Sequence, residues 1–386
     1  MRSLYSGGGG GALRQEGTDA MRALVVGGTG PTGPFIVRGL LERGYTVAIF
    51  HRGTHEVPEI PEAVEHVHGD PHFRETIDQA LGRREFDLVI ASYGRLRLLA
   101  EAMAGRADRF IAVGGFSVYR GALDPTRMHP AGMPIPVRED APRVEQSSEQ
   151  RFAALMSEAE EVVLQRHPGA TIFRYPYVYG PHQLLPREWC VVRRLLDGRR
   201  RMILPDGGLS LTTHGYAENL AHAVLLAVDR PAIAAGRRYN CGDERQLSLA
   251  QIVEVIADAL GRRIEIVSLP RSLATPTWPF ALGGLPHRLL DLERVRVELG
   301  YRDVVPVEEA LARTARWYAA NPPEPGGEIE RRLGDRFDYA LEDELIDRFE
   351  SFAASVGPIV EAASRDDHHP YAHPTEPGRL RDHRDR

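Results

Sequence analysis

Residues 23–53, ALVVGGTGPTGPFIVRGLLERGYTVAIFHRG, carry the strongest structural signal in this chain of 386 residues. The apolar run from Ala23 to Val26 is typical of a buried parallel strand. A glycine turn and an amphipathic helix follow, and Gly44 stands where a C-cap glycine ends a helix. Residues 45–50 are rich in β-branched and aromatic side chains, which favour a second strand. The segment therefore predicts a strand–turn–helix–strand unit.

The glycine turn of this unit fits two patterns. Gly28, Gly30 and Gly33 match GxGxxG, and Gly27, Gly30 and Gly33 match GxxGxxG. Glycines at this spacing let the backbone turn tightly and approach a pyrophosphate, whose charge then meets the helix N-terminus. In this context the turn predicts a dinucleotide-binding site, and the alternative is a tight turn without a ligand. The predicted cofactor-binding residues of the turn are Gly27, Thr29, Gly30, Pro31, Thr32 and Gly33.

The end of the second strand indicates which dinucleotide is bound. NAD-binding proteins usually carry an acidic residue here for the ribose hydroxyls. This chain has His51 and Arg52 instead, and the nearest acid is Glu56. Because a guanidinium group pairs well with phosphate, Arg52, together with His51, predicts NADP rather than NAD. The alternative is that Arg52 is a solvated surface residue.

Composition indicates an ordinary soluble protein. The formal net charge is −6 and the hydrophobic content is 42%, so we expect no nucleic-acid partner. No apolar stretch is long enough to cross a membrane, and Cys190 and Cys241 cannot form a disulfide framework, which favours a cytoplasmic location. The chain has no lysine, and all 48 of its Lys/Arg residues are arginine.

Strand and helix patterns continue to alternate after residue 53. Strands are predicted at 64–68, 86–91, 109–113 and 170–174, with helices between them. This order predicts an α/β fold with a Rossmann-type, doubly wound parallel sheet and a smaller C-terminal substrate lobe. Ligands of such sheets lie beyond the carboxyl ends of the strands. The residues that this rule adds to the predicted cofactor site are Asp70, Tyr93, Gly114, Tyr175 and Pro176.

Changes in composition divide the chain into five regions. They are a disordered tail (1–20), the dinucleotide-binding core (21–180), a substrate lobe (181–321), a helical extension (322–362) and a second disordered tail (363–386). A small-molecule substrate is the expected partner, and helices near 95–103 and 148–165 can serve a homodimer. A basic cluster, Arg193–Arg194 and Arg199–Arg201, can bind a phosphate or carboxylate of a substrate, or form a solvated face.

Histidines on the third strand raise the question of a metal site. Alternation points His66 and His68 to the same face, and His72 follows shortly afterwards. No carboxylate or cysteine in the pattern completes a ligand set, so we expect no metal ion here.

A wider set of motifs resembles one known family. The chain is similar to extended, atypical short-chain dehydrogenases/reductases of the NAD-dependent epimerase/dehydratase family. The segments that carry this resemblance are Gly27–Gly33, Phe50–Gly53, Gly69–Asp70, Ser117–Tyr119, Arg174–Pro181, Tyr239–Asp243 and Leu299–Tyr301.

The resemblance also shows where this chain departs from the family. Its members use a serine, a tyrosine and a lysine four residues after the tyrosine, and the lysine lowers the pKa of the phenol. These positions fall on Gly115, Phe152 and Met156 of this chain. Because no tyrosine lies between Tyr119 and Tyr175, and no lysine exists, the usual proton relay is missing.

Three hypotheses remain. The first is an enzyme with relocated acid/base residues, for which Tyr119 is the leading candidate and Tyr177, Tyr179, Tyr93 and His214 are the others. The second is a catalytically inactive NADP(H)-binding redox sensor or scaffold. The third, a nucleic-acid-handling protein, is disfavoured by the acidic net charge.

Overall fold

The computed structural model of the protein describes residues 20–54, 56–92, 95–282, 286–363 and 376–379. The chain forms two compact units, residues 1–336 and 337–386. The two predicted tails lie almost entirely outside the described residues, as does Tyr93.

A seven-stranded parallel sheet is the centre of the first unit. Its strands follow the order β3-β2-β1-β4-β5-β6-β10, and neighbouring strands pair in parallel throughout. The strands are β1 (Arg22–Val26), β2 (Thr46–His51), β3 (Glu65–His68), β4 (Phe86–Ala91), β5 (Ala107–Gly115), β6 (Thr171–Tyr175) and β10 (Arg238–Asn240). The predicted Rossmann-type sheet is confirmed.

Helices cover both faces of this sheet. Ala23 and Val25 of β1 pack into one hydrophobic cluster, while Leu24 and Val26 pack into another on the opposite face. A strand buried on both faces is apolar throughout, which is why the run at 23–26 carries no polar residue. The helices on the first face include α1 (Gly33–Glu42) and α6 (Ala217–Asp229), and those on the second are α2 (Arg74–Leu81), α3 (Leu96–Met103) and α4 (Arg151–Arg166).

Two small parallel strand pairs lie outside the seven-stranded sheet. β7 (Tyr177–Tyr179) pairs with β9 (His214–Tyr216), and β8 (Arg201–Pro205) pairs with β11 (Glu265–Leu269). The sequence analysis did not find β7, β8 or β9. The remaining helices of the first unit are α5 (Glu188–Leu196), α7 (Pro231–Ala234), α8 (Leu249–Ala259), α9 (Trp278–Ala281), α10 (Glu293–Leu299), α11 (Val307–Ala320) and α12 (Glu328–Leu333).

Asp243 ties the β7–β9 pair to helix α6. Its Oδ2 accepts a hydrogen bond from the Tyr179 hydroxyl at 2.7 Å. Its Oδ1 accepts from the Tyr216 amide and from Asn219 Nδ2, both at 2.9 Å. The carboxyl group has no solvent exposure. Burial raises the pKa of Asp243 to about 7, although the donors from Asn219 and Tyr216 act in the opposite direction.

The second unit contains one long helix, α13 (Tyr339–Ala363). Arg348 and Glu344, one turn apart on this helix, form a surface ion pair at 2.8 Å. Over the part of the chain that the structure describes, no helix combines the length and the apolar character needed to cross a bilayer.

The buried Asp243 carboxyl group should make stability depend on pH. The folded protein keeps its proton up to about pH 7, whereas the unfolded chain loses it near pH 4, so stability falls as pH rises through this range. Asparagine retains an acceptor oxygen and carries no charge. We therefore expect the unfolding free energy of Asp243→Asn, relative to the wild type, to rise by about 2–3 kcal/mol between roughly pH 5 and pH 8.

Urea denaturation at the two pH values measures this difference. The exposed Asp258→Asn variant is the matched control. An equal effect of Asp243→Asn at both pH values would show that the buried carboxyl group is already ionised in the acidic sample.

Candidate functional site

The glycine turn between β1 and α1 brings backbone and helix unusually close. Gly27 has a φ of +83°, a conformation that favours glycine. The Gly30 amide donates to the Gly27 carbonyl at 3.2 Å, and the Gly33 amide donates to the Gly30 carbonyl at 2.9 Å. A Cβ atom on Gly33 would lie only 1.9 Å from the Gly28 carbonyl oxygen. Helix α1 can therefore pack on the turn only with glycine at position 33.

The same turn leaves the start of α1 available to an anion. Thr32 forms no side-chain cap, and the first turn of α1 has no acidic residue. The amide groups at a helix start carry partial positive charge, which suits a phosphate. A Cβ atom on Gly30 would meet only the Gly27 carbonyl, at 3.6 Å. Gly30 therefore borders open space rather than packed atoms.

A small cavity of about 210 Å³ lies beside the turn. Its lining includes Gly27, Thr29, Gly30 and Pro31 from the turn, together with the segment from His51 to Thr54 that follows β2. Four of the six predicted cofactor residues of the turn and both of those that follow β2 thus border one cavity, whereas Thr32 and Gly33 are not part of its lining. Asp70 instead pairs with His72, accepting from its amide at 3.0 Å and contacting its ring Nδ1 at 2.6 Å.

A larger cavity of about 630 Å³ lies at the carboxyl ends of β4, β5 and β6. Gly114 and Tyr175, both predicted to bind the cofactor, line it, and Ser92 lines both cavities. The Tyr175 hydroxyl donates to the Leu220 carbonyl at 3.4 Å, and burial holds its pKa well above the usual value. Pro176 is buried between β6 and β7.

The family's three catalytic positions meet at the wall of the larger cavity. Phe152 and Met156 of α4 line this cavity, and a Cβ atom on Gly115 would lie 3.1 Å from Met156 Cε. The three positions are therefore neighbours in space. Their side chains offer neither a hydroxyl nor an ammonium group, so they cannot move a proton.

Tyr119 lies in a buried network away from both cavity linings. Its hydroxyl donates to Asn240 Oδ1 at 2.6 Å and accepts from Arg174 Nη1 at 2.8 Å. Its side chain is 1% exposed. Burial raises the pKa of Tyr119 to about 12, despite the guanidinium group of Arg174. With both hydrogen-bonding functions occupied, this tyrosine has a structural position.

Arg174 and Glu160 form the charged centre of that network. Arg174 donates to Glu160 through Nε at 2.8 Å and Nη2 at 2.7 Å, and neither side chain is more than 1% exposed. Burial opposes ionisation of Glu160, but Arg174, Arg238 and Arg143 outweigh it and hold the pKa of Glu160 below its usual range. Removal of one member of a buried ion pair costs about 3–5 kcal/mol.

Tyr177 and His214 lie in a second, cationic cluster that the sequence analysis did not find. Arg288 Nη1 donates to the Tyr177 hydroxyl oxygen at 2.9 Å, and the Arg187 guanidinium group lies 4.0 Å from the centre of the Tyr177 ring. The His214 ring is 6.0 Å from that ring. Arg288 is 2% exposed, and its Nε has no hydrogen-bond partner.

A buried carboxyl group, that of Glu188, lies next to Arg187 in the chain and attracts its guanidinium group, while burial raises the pKa of Glu188 to about 7. Among the residues that the structure describes, no carboxylate forms an ion pair with Arg187 or Arg288. Burial lowers the pKa of both guanidinium groups, yet arginine remains cationic in proteins. Two such charges beside a partly open tyrosine favour an anionic ligand.

His214 is neutral in this cluster. Its Nδ1 lies 2.8 Å from the Thr212 carbonyl oxygen, so Nδ1 carries the hydrogen and Nε2 is left as an acceptor. Burial lowers the pKa of His214 to about 4; the Thr212 hydrogen bond acts in the opposite direction, and the charges of Arg187 and Arg288 each add a smaller lowering effect.

Two arginines of the predicted basic cluster, Arg193 and Arg194, form ion pairs within the protein. Arg194 is fully buried and pairs with Asp335 at 2.7 and 3.1 Å, and Arg193 pairs with Glu330 at 2.5 Å. These ion pairs connect α5 to α12 and to the segment that follows it. Arg194 is therefore neither solvated nor free for a substrate.

The histidines of β3 have partners that the sequence analysis missed. His66 and His68 share a face, as predicted, but a carboxylate does stand beside them, and the expectation that none would was wrong. Glu56, from the loop after β2, and the buried His51 complete a group whose ligand atoms all lie within 4.8 Å of one another. His72 is occupied by Asp70 instead.

Comparisons with known proteins give relatives of moderate similarity. No family model matches the chain. A 3-diazoavenalumate denitrifying reductase from Streptomyces is 26% identical over 310 residues, 74% of this chain and 97% of that protein. A 2-alkyl-3-oxoalkanoate reductase from Stenotrophomonas maltophilia is 27% identical over 327 residues, 78% of this chain and 92% of the relative. The uncharacterized protein YbjS of Escherichia coli is 28% identical over 193 residues, which cover 43% of this chain and 56% of YbjS.

Solved structures share the fold. UDP-glucose 4-epimerase from Thermotoga maritima, determined with UDP-glucose, matches with a TM-score of 0.63 at 18% identity, over 78% of this chain and 100% of that chain. A dTDP-glucose 4,6-dehydratase from Streptomyces venezuelae, with NAD bound, matches with a TM-score of 0.59 at 22% identity, over 78% of this chain and 98% of that chain. Reductases among the relatives, together with an epimerase and a dehydratase that share the fold, confirm the resemblance to the NAD-dependent epimerase/dehydratase family drawn from the motifs.

Two glycine variants separate the folding role of the turn from ligand binding. Gly33→Ala should destabilise the first unit strongly, because its methyl group would overlap the Gly28 carbonyl. Gly30→Ala should fold with an unfolding free energy within about 1 kcal/mol of the wild type. If a pyrophosphate lies over the turn, the new methyl group at position 30 should weaken dinucleotide affinity about tenfold or more.

Thermal denaturation and calorimetric titration with NADPH measure the two effects. Full affinity in a well-folded Gly30→Ala protein would mean that the pyrophosphate does not approach this turn.

Proposed function

We propose that this chain is an NAD(P)-dependent enzyme of the epimerase, dehydratase or reductase type, acting on a small anionic carbonyl or sugar-like substrate. The observation that carries the proposal is the shared wall of the two cavities at Ser92. A groove thereby leads from the glycine turn, along the carboxyl ends of the strands, to Phe152 and Met156. Reductases and an NAD-bound dehydratase among the similar proteins support this assignment.

The residues along the groove fit a dinucleotide. Gly30 and the uncapped start of α1 suit the pyrophosphate, and the small cavity beside His51 and Arg52 suits the adenosine end. The larger cavity, with Gly114 and Tyr175 in its wall, suits the nicotinamide end. When bound there, the nicotinamide supplies or accepts a hydride. The apolar wall at Phe152 and Met156 contributes by keeping water away from that reaction.

The cofactor we favour is NADP, although the structurally similar dehydratase was determined with NAD. No acidic residue stands at the end of β2, and Glu56 lies against the histidines of β3 rather than the small cavity. Arg52 is exposed and lines this cavity. A guanidinium group in that position can hold a 2′-phosphate through paired hydrogen bonds.

The substrate binds, in this proposal, at the arginine cluster on β7. Tyr177 faces Arg187 and Arg288, while the next residue, Val178, lines the larger cavity. A phosphate or carboxylate on Arg187 and Arg288 would therefore place the rest of the substrate near the nicotinamide end of the groove. The unpartnered Nε of Arg288 is a further donor for such an anion.

Tyr177 is the residue that we assign to proton transfer. Arg288 donates to its oxygen, so the hydroxyl hydrogen points elsewhere, and the described residues provide no acceptor for it. This hydrogen can pass to a substrate carbonyl oxygen as the carbon gains a hydride. Neutral His214, whose Nε2 is an acceptor, is the second candidate for proton transfer. In that role it would exchange the proton with solvent. Tyr119 is not retained, because both of its hydrogen-bonding functions are occupied.

A redox sensor or scaffold is the alternative function. It is favoured by one observation, the replacement of the whole proton relay by Gly115, Phe152 and Met156 on a wall that still borders the cofactor groove. A sensor needs a site that binds the cofactor and a response to the oxidation state of the cofactor, but it needs no proton donor.

Replacing Arg52 should change cofactor preference. We expect Arg52→Ala to lower NADPH affinity about tenfold, as loss of one charged hydrogen bond would, and to leave NADH affinity within about twofold. Calorimetric titration with each nucleotide measures this, and the exposed Arg74→Ala variant is the matched control. Equal binding of NADH and NADPH by the wild type would contradict the NADP assignment.

Replacing Tyr177 should abolish turnover but preserve the cofactor site. With NADPH and a panel of phosphorylated or carboxylated ketones and nucleotide-linked keto sugars, Tyr177→Phe should lower kcat about 100-fold or more. Nicotinamide absorbance follows the reaction. Tyr119→Phe is the control, expected to lose stability and to keep its turnover.

Two results would redirect the proposal. Loss of turnover only in Tyr119→Phe, with unchanged cofactor affinity, would return the proton donor to the buried network. Tight NADPH binding by the wild type, without oxidation across the whole panel, would favour the sensor.

A further inference from the structure

Three histidines and a glutamate converge where β2 and β3 end. The strand pairing brings them together, because His51 stands opposite His68 and Ile49 stands opposite His66. Since side chains alternate along a strand, His66 and His68 emerge on the same face. Glu56 reaches this face from the loop that follows β2. Three of the four side chains are thus fixed by strand geometry, which positions ligands more precisely than loops do.

The distances between the ligand atoms suit a small cation. His51 Nε2 lies 3.2 Å from His66 Nδ1, and His66 Nδ1 lies 3.3 Å from Glu56 Oε2. His68 Nε2 lies 3.7 Å from Glu56 Oε1. Ligands at roughly 2.0–2.1 Å from a tetrahedral Zn²⁺ ion are about 3.4 Å apart. The group is therefore already close to tetrahedral spacing.

Burial shows which ligands can close the remaining gap. His51 is 5% exposed and is held in place, whereas the side chains of Glu56 and His68 are 49% and 60% exposed. The rings of the three histidines stand nearly perpendicular to one another, with centroids 4.9–6.3 Å apart. Small movements of the exposed Glu56 and His68 side chains would bring all four ligand atoms within bonding distance of a single ion.

Other histidines of the protein have simpler hydrogen-bond partners than those of the β2–β3 group. Nδ1 of His214 faces one backbone carbonyl, His167 likewise faces the carbonyl of Ala100, and His182 meets Glu59. In the β2–β3 group, by contrast, a ring nitrogen faces another ring nitrogen, and one carboxylate serves three imidazoles. His51 Nδ1 accepts from the Gly53 amide at 3.3 Å, so without a metal ion Nε2 carries the hydrogen that faces His66; a cation that displaces this proton would be shared by all four groups.

We propose that His51, Glu56, His66 and His68 bind one divalent first-row transition-metal ion, with Zn²⁺ as the expected occupant. Imidazole nitrogens with one carboxylate suit this class of ion, whereas Mg²⁺ and Ca²⁺ take mainly oxygen ligands. The bound ion holds Glu56 against the strand ends, beside the small cavity. The assignment does not depend on the proposed function.

Zinc titration of the full-length chain tests the site. The protein is first stripped with a chelator and then titrated calorimetrically with ZnCl₂, and separately with MgCl₂, without any nucleotide. We expect one tight zinc site, no comparable magnesium site, and the strong visible absorption of tetrahedral Co²⁺ when cobalt is used. His68→Ala and His66→Gln should each weaken zinc binding by about 100-fold or more.

Two controls separate this site from other histidines. His72→Gln alters a neighbouring histidine outside the group, and His368→Ala combined with His369→Ala removes a histidine pair of the C-terminal tail. Both variants should keep the tight zinc site. Absence of tight zinc binding would overturn the proposal, and so would a tight site that survives in His66→Gln and His68→Ala or disappears in the tail variant. Circular dichroism verifies that the two strand variants, whose replaced side chains are partly exposed, remain folded.

Discussion

The guanidinium group of Arg174, which has no contact with solvent, fixes the centre of the first unit. It binds Glu160 of α4 through two hydrogen bonds and the Tyr119 hydroxyl and Glu139 carbonyl through others. Because an unpaired buried charge is so unfavourable, β6, α4 and the segments around Tyr119 and Glu139 must keep their relative positions. The residues that follow Arg174 in the chain line the groove, so the shape of the groove depends on this ion pair.

Two neighbouring residues of strand β7, Tyr177 and Val178, lie in different environments. Val178 lines the larger cavity, whose wall includes Phe152 and Met156, and Tyr177 faces two arginines with which no described carboxylate forms an ion pair. Phe152 and Met156 make the wall of the larger cavity apolar without filling the space for a ligand.

Local patterns predicted the fold well, and long-range pairings limited the prediction of the site. The glycine turn and the apolar strands depend on patterns within short stretches of sequence, and the structure has both. Arg288 and Tyr177 are 111 positions apart in the sequence, and no local pattern near either residue predicts their contact. Likewise, alternation paired His66 with His68, but adding His51 required the register between β2 and β3. Strands of three residues, such as β7 and β9, are too short to show a periodic pattern.

The two margins of the seven-stranded sheet have a consequence for encounters between chains. An unpaired strand edge can recruit a strand from another molecule and begin aggregation. Here β3 has only four residues, with exposed Glu65, His66 and His68, and β10 has only three. Arg238, on that second margin, is held by Glu160 and Glu161. Edge strands that are short and carry polar or charged side chains discourage pairing with strands of other molecules. The long apolar strands between them therefore stay shielded from neighbouring molecules.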